Sequence, residues 1–140
     1  MSIVLILQTN IVLSSGEFRV AVIDTGLNLK DPRFKPFLCA DGHQDFTGEG
    51  LDDKMGHGTH VAGLIIKNSK KSKNFCLVIY KFYAGGKSPE DHERSYKLAL
   101  TAALKSKARL INFSGYSSIF YAWEYEALRD NPQVTVVTAA

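Results

Sequence analysis

Arg19-Val20-Ala21-Val22-Ile23-Asp24-Thr25-Gly26 is a short apolar run that stops at an acid and a glycine turn. A run of this length, bounded by turn residues, reads as a strand buried on both faces. Strands of that kind belong to parallel sheets with helices packed on each side. In such sheets functional groups gather beyond the C-terminal strand ends, where Asp24 stands. An aspartate at a strand end also serves as a turn former or a helix cap, so Asp24 by itself leaves both readings open.

Working outward, Met1 to Leu13 is apolar but interrupted by Gln8, Thr9 and Asn10. It is too short to span a bilayer, and no transmembrane segment is expected. The first basic residue is Arg19, so the positively charged start of a signal peptide is lacking. Residues 1–18 are therefore an apolar segment of uncertain role. Residues 28 to 55 carry Pro32, Pro36 and several glycines, and read as loop with one short strand near Gln44 to Phe46. A helix is expected from His57 to Lys67. A second strand runs from Cys76 to about Tyr83 and ends before Gly85 and Gly86. Ser88-Pro89-Glu90-Asp91 is a helix start, with a capping serine, a tolerated proline and two acids at the positive end of the dipole. That helix should reach about Lys107. Leu110 to Phe113 is a third strand, Trp123 to Arg129 a helix, and Val134 to Val137 a last strand. Strands alternating with helices give an α/β fold with a mainly parallel sheet flanked by helices.

The 140 residues suffice for one domain with a real core. Hydrophobic content of 45% and charged content of 22% are those of an ordinary soluble globular chain. The formal charge of +3 is weak, and Lys67, Lys70, Lys71 and Lys73 lie in one polar run. That run reads as a solvated loop, and no nucleic-acid partner is expected. Cys39 and Cys76 have no paired-ligand spacing; they either pair with each other or remain buried thiols.

Gly56-His57-Gly58-Thr59-His60-Val61-Ala62-Gly63 puts a histidine between two glycines at a helix start. Two histidines in a glycine turn can be plain polar residues. If Asp24 and His57 meet, the chemistry is definite. A buried carboxylate holds one imidazole nitrogen as a donor and leaves the other as a base for a serine hydroxyl. Histidine suits that task because its pKa lies near working pH.

Together, Val20 to Gly26 and Gly56 to Gly63 resemble the segments around the catalytic aspartate and histidine of the subtilisin-like serine peptidases, the subtilases. The resemblance implies that Asp24 and His57 are catalytic, in the family order of Asp, His and Ser. It implies that Asp53 is structural and that His60 is not the base. His43 and His92 match nothing catalytic and are expected to face solvent. Leu110-Ile111-Asn112-Phe113-Ser114-Gly115 is similar to the edge on which the family lays its substrate by strand addition, with Gly85 and Gly86 near the opposite wall. Ser114, Gly115 and Tyr116 are thus the substrate-binding candidates. Tyr116 departs from the family glycine and would narrow the cleft. Arg33 stands where many members have a calcium-binding aspartate, so no calcium is expected there, and no other cofactor or metal. Secretion is implied by the resemblance alone.

The resemblance runs from about Arg19 to the end of the sequence and covers the N-terminal half of the family domain. The Gly-Asn pair that serves the oxyanion and the Gly-Thr-Ser-Met block that carries the nucleophile do not occur among the 140 residues. Alone, they are expected to be inactive. A complementary C-terminal segment is an expected partner, because Val134 to Thr138 would otherwise leave an exposed apolar edge. Three functions remain open: a serine endopeptidase acting on peptides or proteins, an inactive remnant or peptide-binding module, and a metal hydrolase using His57, His60 and Asp24.

Overall fold

The computed structural model describes residues 18–69, 74–115 and 121–139. Residues 1–17, Lys70, Lys71, Lys73 and the candidate Tyr116 lie outside the described residues. Five parallel strands form one sheet in the order β2-β3-β1-β4-β5. They are β1 (Phe18–Asp24), β2 (Gln44–Asp45), β3 (Phe75–Lys81), β4 (Leu110–Phe113) and β5 (Thr135–Thr138). The helices are α1 (His57–Asn68), α2 (Pro89–Lys105) and α3 (Ala122–Arg129).

The alternation within β1 and β3 assigns the two faces. Val20, Val22, Leu77 and Ile79 pack with Ala62, Val61 and Ile65 of α1. Ala21, Ile23, Val78 and Tyr80 pack with Tyr96, Ala99, Leu100 and Ala103 of α2, and Trp123 and Leu128 of α3 join them. Every residue of β3 is buried, which explains its unbroken apolar reading. From β1 the chain crosses through α1 to β3 on one side, then through α2 to β4 on the other. The C-terminal end of β1 therefore lies at the switch point of the sheet, where open α/β sheets form their sites.

Several boundaries differ from the sequence reading. β3 stops at Lys81 rather than Tyr83, because its partner β1 ends opposite it at Asp24. Phe82 N donates one last bond, 3.0 Å, to Asp24 O. α2 ends at Lys105, not Lys107, since Lys107 takes φ 64° and Ser106 N turns back to Ala103 O. The last strand is Thr135–Thr138, one residue later than read. Ser88 caps α2 as expected, its side chain accepting from Asp91 N at 3.1 Å.

Cys39 and Cys76 form a disulfide across 37 residues, which resolves the two cysteine readings. The expectation of two solvent-facing histidines fails. His43 is half-buried, and its Nδ1 accepts from Ile79 N at 3.1 Å while Nε2 donates to Cys39 O at 2.9 Å. His92 is half-buried too, donating to Ala84 O at 3.0 Å and stacked on Tyr83 with ring centres 4.1 Å apart. Both histidines supply polar partners for backbone that secondary structure leaves over.

Candidate active site

Asp24 ends β1 with 3% of its surface exposed. His57 opens α1 and keeps 53% of its side chain exposed. His57 Nδ1 lies 2.7 Å from Asp24 Oδ1, and Thr25 N donates to the same oxygen at 2.7 Å. With Nδ1 as the donor, Nε2 is left as the basic nitrogen of the ring.

The pair meets because the start of α1 is capped from outside the helix. Gly56, with φ 84°, has no side chain to cap with. Thr25 Oγ1 accepts from Gly58 N at 2.9 Å, and Asp53 Oδ2 accepts from Thr59 N at 2.8 Å. Two of the orphan donors at the helix N-terminus are thereby satisfied, one of them by a carboxylate that the helix dipole also favours. Asp53 further accepts from Thr25 Oγ1, Met55 N, Gly56 N and Thr59 Oγ1. Burial opposes ionisation of Asp53, but the bonds from Thr59, Thr25 and Gly56 outweigh it and hold its carboxyl below the usual range. Buried Lys81, opposite Asp24 in the sheet, anchors the same loop by donating to Asp52 O at 2.8 Å.

Gly58 is required by close approach. A Cβ there would run into Gly26 O and stand 3.1 Å from Asp24 Cβ. The glycine beside His57 thus lets the helix start come down onto the end of β1.

Beside this pair lies a recess of about 750 Å³, with His57, Asp24, Ser114 and Gly115 in its lining. Phe82, Tyr83, Tyr96, Phe113 and Tyr121 give it a largely aromatic wall, with Met55, Pro89 and His92 beside them. Glu93 and Glu124 also line it. Tyr96 OH donates to Glu124 Oε1, and burial together with that carboxylate pushes the Tyr96 phenol far above its ordinary pKa. Ser114 Oγ accepts from Asn112 Nδ2 at 2.8 Å. His60 is exposed on α1, and no group of three or more metal-binding side chains occurs among the described residues.

Residues 15–135 match the Peptidase S8 model, described as the subtilase family. The chain belongs to the subtilase family. A subtilisin-like protease of Arabidopsis thaliana, SBT4.12, is 29% identical over 116 residues, which is 67% of this chain and 16% of the relative. The human membrane-bound transcription factor site-1 protease is 47% identical over 53 residues, 37% of this chain and 5% of that protein. The subtilase-type proteinase psp3 of Schizosaccharomyces pombe is 43% identical over 72 residues, 43% of this chain and 13% of its own length. The chain thus spans less than a fifth of these relatives.

Solved structures carry the same fold. The nisin leader peptidase NisP of Lactococcus lactis superposes with a TM-score of 0.62 at 18% identity, covering 88% of this chain and 43% of that one. A lanthipeptide protease gives 0.61 at 23% identity, over 83% and 34%. The parallel α/β sheet is that of the N-terminal part of a subtilisin-like catalytic domain.

Of the residues singled out in the sequence, Asp24 and His57 come within hydrogen-bond distance and Asp53 caps the start of α1. Sequence reasoning missed Thr25, whose only signal is its place directly after Asp24. Glu93 and Glu124 gave no signal, because α2 and α3 come together only through the sheet.

Proposed function

We propose that residues 19–140 are the N-terminal half of a serine endopeptidase catalytic domain in which Asp24 orients His57. The observation that carries this reading is the 2.7 Å approach of His57 Nδ1 to buried Asp24. His57 Nε2 takes the hydroxyl proton of a serine as its oxygen attacks the substrate carbonyl, then gives that proton to the leaving amine. A water deprotonated by the same nitrogen hydrolyses the acyl ester, and the serine recovers its proton. The peptide lies extended beside Ser114 and Gly115.

The Gly-Thr-Ser-Met block is not among the 140 residues, so these residues alone are read as inactive. In subtilisin, loss of the serine lowers turnover by about 10⁶-fold. A complementary segment of the domain is assigned to the groove of about 420 Å³ lined by Phe18, Leu64, Ile65, Leu110 and Val137. The disulfide favours an oxidising compartment and hence secretion.

Nitrogen-15 NMR tests the pair. His57 is expected as the neutral Nδ1-protonated tautomer, and Asp24→Ala should convert it to the commoner Nε2-protonated form. An Nε2-protonated ring in the unsubstituted chain would overturn the assignment. So would fluorophosphonate labelling of a serine within residues 1–140.

Calcium at the usual family site is read as absent. Arg33 Nε donates to both oxygens of Asp31, at 2.9 and 3.0 Å, so a guanidinium already neutralises the nearby carboxylate. Millimolar calcium should leave Tm unchanged against a chelator control, and a calcium-dependent rise would contradict this reading.

A further inference from the structure

The recess beside His57 is lined by carboxylates and, apart from the imidazoles of His57 and His92, by no basic side chain among the described residues. Asp24, Glu93 and Glu124 line it, and no lysine or arginine does so among the described residues. This stands out in a chain whose net charge is +3. The two glutamates come from different helices, Glu93 from α2 and Glu124 from α3. Each is half-buried and held by an aromatic neighbour: Tyr96 OH donates to Glu124, and Trp123 Nε1 reaches Glu93 at 3.4 Å. Those donors fix one oxygen of each carboxylate and fall well short of neutralising it. Buried Asp24 Oδ2 has no hydrogen-bond partner among the described residues. Lys97 holds its Nζ 5.5 Å from the Trp123 ring centre, and Lys81, beside Asp24 in the sheet, gives its ammonium to Asp52 O; neither lines the recess.

Aromatic faces and fixed carboxylates around one volume are the requirements of an organic cation. The stem of an arginine or lysine packs on Tyr83, Tyr96 and Phe113, while its head meets the glutamates. A phosphate or an acidic side chain would meet repulsion instead. An apolar side chain would leave two half-buried carboxylates with less water and no opposite charge.

We propose that this recess is a specificity site that selects a peptide substrate with a basic side chain, and that Glu93 and Glu124 read the charge. The proposal rests on the peptidase reading of the cleft and adds the class of substrate. Charge-assisted hydrogen bonds in partly buried surroundings predict a preference of about 10- to 100-fold.

The test uses acetylated five-residue alanine peptides carrying one arginine, stepped through the five positions, beside a matching citrulline set. Citrulline keeps the shape and loses the charge. Binding to the 140-residue chain is followed by Trp123 fluorescence and by amide shifts of Ser114 and Gly115. One arginine position should bind at least about tenfold tighter than its citrulline match. Glu93→Gln and Glu124→Gln should each shrink that ratio, the double variant should bring it close to one, and Glu93→Lys should turn the preference towards a glutamate peptide. Both glutamine variants are isosteric, and circular dichroism reports whether they fold. Equal binding of arginine and citrulline peptides at every position would overturn the proposal and leave the peptide cleft standing. Failure of all the peptides to bind would overturn both.

Discussion

The corner where β1 meets α1 and the wall formed by β4, β5 and α3 are built to different densities. At the corner, Ala21 to Asp24 and all of β3 are buried, and Asp53 alone accepts five hydrogen bonds. On the wall, α3 has no buried residue and three of the four residues of β5 are exposed. The pairing of Asp24 with His57 is therefore fixed by hydrogen bonds among residues 24–59, backed by β3 and by Lys81 on the Asp52 carbonyl. The wall depends on a thinner layer. Alignment of the two catalytic candidates and shaping of the cleft are separable properties of this chain.

The largest effect expected from breaking the dense side is loss of the disulfide. Cys39 and Cys76 are 4% and 1% exposed and close a loop 37 residues apart in sequence, which includes β2, the Asp53 loop and α1. Loop-closure entropy puts the stabilisation at about 4 kcal/mol. The double variant Cys39→Ala, Cys76→Ala should lower the urea midpoint accordingly. An unchanged midpoint would mean that the corner is held without its staple.

Removing Asp53 comes next. Asp53→Ala strands five donors, several of them half-buried, and should cost about 3 kcal/mol. The same carboxyl gives the corner an acid limit. Burial works against ionisation of Asp53 and Asp45, yet their hydrogen bonds, chiefly from Thr59 and Thr47, hold both pKa values below the ordinary one. The folded chain then binds fewer protons than the unfolded chain in the acid range. Stability from these groups is fully present above the unfolded pKa of about 3.9 and is lost as pH falls through the lower folded values. Urea midpoints between about pH 5 and pH 3 should fall less steeply for Asp53→Asn than for the unsubstituted chain. Parallel slopes would show that Asp53 carries no such linkage.

The dense side was also the more legible one. Val20 to Ile23 and Leu77 to Tyr80 are apolar on both faces, so their strands and the parallel sheet follow from periodicity and length. Asp24 and His57 stand at element boundaries, where turn chemistry shows. What stayed hidden depends on contacts distant in sequence. The Cys39–Cys76 pairing needs the loop after β1 to return to β3. His43 and His92 look like surface residues until the carbonyls of Cys39 and Ala84 are seen to lack other partners in regular structure. Glu93 and Glu124 share a recess only because α2 and α3 cover one face of the sheet.

The smallest effect tests the comparison most directly, with one chemistry at two densities. Val78 in β3 is fully buried, whereas Val137 in β5 is 48% exposed. Val78→Ala removes two buried methyl groups and should cost about 2 kcal/mol. Val137→Ala should stay within about 0.5 kcal/mol, as surface substitutions do. Val137 also lines the groove with Phe18 and Leu64, which are 36% and 43% exposed. A Val137→Ala loss approaching that of Val78→Ala would mean that this groove is covered in solution. Dependence of that loss on protein concentration would assign the cover to a second copy of the chain, and independence to the chain itself.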